Sequence, residues 1–245
     1  MAKVAIATTT FYKSAKEIRF QLALRTVRAA TKFGYLIAVV DGGSPDEVCK
    51  KFSDAGAYLF QQELPGMGPS RRQAIAAAAK LVNNDGAVVW MEPEKYTLVP
   101  QLYKAATPIL NGVSDLVIPA RKSMTSYPLE QQCAEFFGNL AFQHITGLAL
   151  DAWFGPRVMN QRAINYFTTY KGEYGDKWDS IFIPVLRAFK AGLRVRSVKV
   201  NYTHPKKQAA TETGLNFLVK RLDQLNNLIP AMAQEAKKIG LTPIK

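Results

Sequence analysis

The sequence predicts an α/β domain with a mostly parallel central sheet flanked by helices, and three observations predict it. Its first half alternates short apolar, β-branched runs with longer helix-like segments, as strands joined by crossover helices do. The helix-like segments open on Ser followed three residues later by Glu or Gln, and the first of them closes at a glycine. No repeat, low-complexity linker or break in composition divides the 245 residues, of which 48% are hydrophobic, so one core can be buried.

Residues 4–8 read as the first strand. Ser14 and Glu17 have capping-box spacing for a helix that runs to Phe33 and stops at Gly34. Residues 35–40 form the second strand, broken at Asp41-Gly42-Gly43. Ser44-Pro45-Asp46-Glu47 then opens a helix with Pro at its first position. A short strand over 57–61, a Pro/Gly-rich loop over 64–69 and an alanine-rich helix after Ser70, with Gln73 as its capping-box partner, repeat the cycle. Beyond the turn at 83–86, residues 87–91 make an apolar strand that ends in Glu92-Pro93-Glu94. The second half reads as a strand over 116–120, helices over 131–146 and 160–170, a Gly-rich loop over 171–175, a helix over 179–191, a strand over 195–202 and a long amphipathic helix over 212–239. Residues 1–210 are taken as the main domain, and 211–245 as a helical extension packed on or beside it.

The formal net charge of +13 implies a field that attracts phosphates, nucleic acids or anionic membranes. The basic residues are dispersed in short pairs over the whole chain, which fits solvated helix faces and argues against a nucleic-acid arm. No apolar run approaches the roughly 20 residues of a membrane span, and no secretory signal is read at the N-terminus, so a cytoplasmic protein is expected. Cys49 and Cys133 are read as free thiols.

Ligands of open α/β sheets lie beyond the carboxyl ends of the strands, which directs attention to Asp41 and to Glu92 with Glu94. Alternate carboxylates after a buried strand suit a hard divalent cation that bridges to a diphosphate, although a solvated junction with Lys95 as partner explains them equally well. His204, after the last strand, is either a further metal ligand or a surface residue, and His144 reads as a packed histidine. Asp179 is either a general base or a helix cap. Arg71 and Arg72, following Gly66 and Gly68 into a helix, are candidates for phosphate contacts, and Thr8 at the first strand end is a further nucleotide-binding candidate. Phe136-Phe137 and Trp153-Phe154 read as core rather than as a substrate platform.

Taken in order, these segments resemble family 2 glycosyltransferases and their dolichol-phosphate mannosyltransferase-like and mannosylglycerate synthase-like relatives, up to about Gln208. Val39-Val40-Asp41-Gly42-Gly43-Ser44 is similar to the family's Val-Asp-Asp-Gly-Ser motif, and the stretch from Gly68 to Ala74 to its Gly-x-x-x-Ala-Arg-Asn segment. Glu92-Pro93-Glu94 takes the place of Asp-x-Asp, with glutamates for aspartates. Gly138-Asn139, Gly155-Pro156-Arg157 and Trp178-Asp179 resemble the acceptor side. The resemblance implies an A-type glycosyltransferase fold and transfer of a sugar from a UDP- or GDP-sugar to an acceptor, with inversion favoured. It further implies that Asp41 contacts the nucleobase or ribose, that Glu94, with Glu92 nearby, binds Mn or Mg, that His204 joins the metal, and that Asp179 is the base. The acceptor is left open among a small molecule, a glycan and a lipid phosphate, the last permitted by peripheral membrane contact. A sugar-phosphate nucleotidyltransferase and a non-enzymatic basic nucleic-acid-binding protein are the alternatives.

Overall fold

The computed structural model describes residues 3–241. A seven-stranded sheet has the order β3-β2-β1-β4-β6-β5-β7, with β1 Val4–Thr10, β2 Leu36–Asp41, β3 Tyr58–Gln61, β4 Ala87–Trp90, β5 Leu116–Arg121, β6 Arg157–Met159 and β7 Val195–Val200. All pairings are parallel except those of β6, which runs antiparallel between β4 and β5. This short strand was not anticipated from the sequence. Its three residues offer too little periodicity, and its pairing partners are 40 or more positions away.

Because side chains alternate across a strand, each central strand feeds two apolar layers. Ala5, Ala7, Ala38, Val40, Val88 and Trp90 face one layer. Helices α3 Met67–Leu81, α6 Gln161–Thr168, α7 Ile183–Lys190 and α9 Leu215–Lys238 contribute to it. Val4, Ile6, Ile37, Val39, Ala87 and Val89 face the other, with α1 Ile18–Lys32, α2 Asp46–Asp54 and α4 Leu102–Leu110. Leu228, Met232 and Ala236 of α9 lie in the first layer, and Arg187 Nε donates to the buried Glu235 at 2.6 Å. The C-terminal helix is thus part of the core; residues 242–245 of the expected extension lie outside the described residues.

Several starts differ from their expected form. Glu17 reaches back to Ser14 N at 3.1 Å and Lys13 N at 2.6 Å, yet α1 begins only at Ile18. Ser44 does not cap α2, because its hydroxyl accepts from Tyr12 N and donates to Asp41. Helix α3 starts earlier, after Gly66, and Gln73 instead bridges Gln61 O and Glu63 N. The C-terminal helix expected over 212–239 is α9, which starts after Gly214 at φ +83°, and a short helix that was not expected, α8 Lys206–Ala209, precedes it. The remaining long helix, α5 Leu129–Thr146, closes at Gly147 in the left-handed region, φ +76°.

Candidate active site

A cavity of about 850 Å³ opens at the carboxyl ends of β1, β2 and β4. Thr9, Thr10, Gly42, Trp90, Glu92 and Glu94, at or just beyond the strand ends, line it. Gln131 and Glu135 of α5, Trp153, Tyr202, His204, Glu212, and Lys220 and Arg221 of α9 also line it.

Arg71 is the best-organised cation in it. Its guanidinium stacks over the rings of Trp90 and Trp178, 5.3 and 4.7 Å from the centroids. Nη1 donates to Lys177 O at 2.7 Å and Ser180 Oγ at 3.0 Å, which leaves Nε buried without a partner. Burial lowers its pKa to about 10, against the opposing pull of Glu92, Asp179 and Asp176, so it remains charged at neutral pH. Arg72 does not join it. Successive helical residues point about 100° apart, so the two cannot face the same cavity. Arg72 instead holds Asp176 through both carboxylate oxygens at 2.6 and 2.7 Å, beside a separate cavity of about 380 Å³.

Glu92 and Glu94 both face the large cavity. Glu94 is buried and accepts on Oε1 from Arg19 Nε at 2.8 Å and Tyr12 OH at 3.4 Å. Burial, and then Glu94, push the Tyr12 phenol up, and Glu94 raises Arg19. Glu92 Oε2 is buried without a hydrogen-bond partner, 3.7 Å from Lys95 Nζ. Gly155, at φ +101°, passes so close to the Glu92 carboxylate that a Cβ there would overlap both oxygens. Lys95 is itself buried over Phe154 and Tyr202, 4.6 and 5.1 Å from the ring centroids. Burial alone would lower its pKa, but Tyr202, Glu92 and Glu135 hold it above the ordinary lysine value.

The donor chemistry fits a divalent ion held by at most two carboxylates and completed by phosphate oxygens, the usual arrangement for Mg²⁺. Glu92 Oε2 is an unpartnered buried acceptor, and both hydrogen bonds of Glu94 fall on Oε1. A cage made by the protein alone does not fit. Among the described residues no three His, Cys, Asp or Glu side chains are grouped to hold a metal. His204, expected as a third ligand, lies in the cavity wall, but its Nε2 is 2.9 Å from Glu212 Oε2 and its ring stacks on Tyr127 at 4.2 Å.

Three other expected residues lie outside the lining. Thr8 is buried inside β1, because the strand continues to Thr10 in register with Asp41. Asp41 is buried and engaged by Thr10 Oγ1, by Ser44 Oγ and N, and by Gly43 N, at 2.6–3.0 Å. It shapes the turn that presents Gly42 to the cavity. Asp179, expected as the base, is buried behind the lining residue Trp178. Its carboxylate accepts from Tyr170 OH at 2.5 Å, Lys177 N at 2.6 Å and Asp176 N at 3.2 Å. These bonds hold the turn carrying Trp178; Asp179 is not the cap of the following helix, because α7 starts only at Ile183, after Phe182, with no side-chain cap.

The acceptor-side motif residues act as supports. Asn139 accepts from Trp153 N at 2.9 Å, and Gly138 lies so close to the Trp153 indole that a Cβ there would overlap it. Arg157 is fully buried and donates to the carbonyls of Ala152, Gly155, Pro156 and Ile181 at 2.9–3.2 Å. Arg19, Lys220 and Arg221 escaped the sequence reading, because the elements carrying them become neighbours only on folding. Lys220 is lowered by burial and then by its neighbours Arg221 and Arg19, which marks a crowded cationic rim.

No protein-family model and no curated protein matches the sequence. Solved structures do. Glucosyl-3-phosphoglycerate synthase of M. tuberculosis superposes with a TM-score of 0.62 at 13% identity, over 95% of this chain and 81% of that one. The same enzyme in complex with Mn²⁺, UDP-glucose and phosphoglyceric acid gives 0.60 at 13%, over 98% and 80%. Its complex with Mg²⁺ and UDP gives 0.53 at 14%, over 92% and 79%. At this identity the likeness shows the fold: the chain has the A-type glycosyltransferase fold that the sequence predicts.

Proposed function

We propose that the protein transfers a sugar from a nucleoside-diphosphate sugar to a small anionic acceptor, with Mn²⁺ or Mg²⁺ as cofactor. The observation that carries this reading is that Glu92 and Glu94 line the same large cavity, at the carboxyl ends of the strands, as the Trp-stacked Arg71. That combination suits a cation and a diphosphate in one site. It also agrees with a fold shared with an enzyme crystallised with Mn²⁺ and UDP-glucose.

Glu92 and Glu94 would hold the ion, which when bound offsets charge developing on the leaving diphosphate. Arg71 presents a preorganised donor that needs no reorientation as that charge grows. Its stacking between two indoles keeps the guanidinium plane fixed. Arg19, Lys220 and Arg221 form the rim at which an acceptor phosphate or carboxylate docks, since an anion there relieves the mutual repulsion of the cations. Phosphoglyceric acid, found in the structural neighbour, is the acceptor to try first. Because the Asp179 carboxylate is committed to the turn, the acceptor proton is assigned to no side chain of this chain.

The test is calorimetric titration of UDP and GDP, with and without Mn²⁺, into the wild type and Glu94→Ala, followed by transfer from the matching sugar nucleotide to phosphoglyceric acid. Binding that needs both Mn²⁺ and Glu94 supports the donor site. No binding of either nucleotide with Mn²⁺ present overturns it, and transfer to neutral sugars in preference to phosphoglyceric acid overturns the anionic acceptor.

A further inference from the structure

The outward face of α5 has no charged side chain among its exposed residues. Leu129, Phe136, Phe137 and Leu140 are 70%, 61%, 58% and 40% exposed and repeat at the spacing of one helical stripe. Cys133 and His144, also exposed, lie along it. The sequence reading places Phe136 and Phe137 in the core and His144 in a packed position; all three are on the outside. Helix α9 lies alongside. Gly214 N donates to Glu130 Oε1 at 3.2 Å, which joins the N-terminal ends of the two helices, where Leu129 and Leu215 stand. From there Leu215, Val219 and Leu222, 74%, 46% and 52% exposed, continue along α9.

Together these side chains leave on the order of 700 Å² open, above the roughly 300–600 Å² of the largest apolar patch on a typical monomer and near the ~800 Å² per partner of a stable interface. We propose that this face docks against a second copy of the chain, α5 and α9 of one protomer meeting those of another. An aromatic stripe without charge, such as that of α5, is what the buried core of a protein interface has. A helix lying on an anionic lipid surface carries Lys or Arg along its flanks; α5 contains neither, and the basic residues next to Val219 and Leu222 on α9, Lys220 and Arg221, line the cavity. The inner faces of the same two helices present Gln131, Glu135, Lys220 and Arg221 to the cavity, so association braces the acceptor wall from behind.

Charge decides how this association responds to salt. Copies that each carry +13 repel, so contact through an apolar face tightens as salt screens them, whereas binding to anionic lipid weakens. Sedimentation velocity of the full chain, over a concentration series at low and high salt, should show a species of twice 27.2 kDa that gains population with both. Phe136→Glu, and separately Leu222→Glu on the other helix, should weaken it by about tenfold or more, with the melting curve unchanged at dilutions where the wild type is monomeric, since both side chains are exposed. A monomer at every concentration and salt overturns the proposal, as does a dimer that both variants leave intact. A monomer that sediments with phosphatidylserine vesicles at low salt, and no longer does so as Phe136→Glu, also overturns it and assigns the face to lipid.

Discussion

Arg19 Nε donates to Glu94 Oε1 at 2.8 Å and so ties the first turn of α1 to the loop after β4. The carboxylate is buried and the arginine largely exposed, so the interaction matters mainly to Glu94. Arg19→Ala leaves a buried acceptor with only Tyr12 OH and should cost about 1–3 kcal/mol of stability by denaturant unfolding. Glu94→Ala removes the acceptor itself. Its expected signature is a loss of nucleotide affinity of about tenfold or more in the presence of Mn²⁺, with little change in its absence.

Arg71 tests whether a fixed guanidinium plane is needed. Lysine keeps the charge but neither the indole stacking nor the paired donation to Lys177 O and Ser180 Oγ. Arg71→Lys should therefore bind UDP or GDP nearly as poorly as Arg71→Met, about tenfold or more below wild type by calorimetry. Affinity restored by lysine would reduce the role of Arg71 to a point charge.

Asp179 separates a structural carboxylate from a catalytic one. Asp179→Asn keeps the shape but weakens acceptance from Tyr170 OH and the amides of Asp176 and Lys177. The melting temperature should fall, consistent with about 1–3 kcal/mol, while the pH dependence of transfer keeps its shape. Loss of an acidic limb from the rate profile, at unchanged stability, would return Asp179 to the role of base.

Asp115 sets an acid-stability limit. Hydrogen bonds from Arg194, and then from Asn160, hold its carboxyl well below the usual carboxylate range despite burial. A depressed folded-state value means that the stabilisation is complete above the ordinary aspartate pKa and is lost as pH falls through the folded value. Asp115→Asn should thus lower the melting temperature by several degrees at neutral pH. The gap to wild type should narrow steadily in strong acid; a gap independent of pH would contradict this assignment.

The strands and helices of the first half were legible because each carries its own period and its own stop signal. The placing of Glu92 and Glu94 beyond an apolar strand was legible for the same reason. Individual roles were less so. Arg71 and Arg72 are equivalent in the sequence, and the turn of α3 alone sends one to the cavity and the other to Asp176. Thr8 and Asp41 were displaced by a strand longer than its apolar run, since threonines can continue a ladder as well as valines do.

What the sequence by itself determined is the layered α/β architecture and the end of the sheet at which polar groups collect. Both follow from local periodicity and from the geometry of parallel strands. Tertiary structure alone decided which of those groups are free to meet a ligand. Glu94 with Arg19, His204 with Glu212, Asp179 with Tyr170 and the exposure of Phe136 all depend on elements separated in the chain. Hydrogen-bond saturation and burial belong to the packed molecule and leave no mark on the residue types themselves.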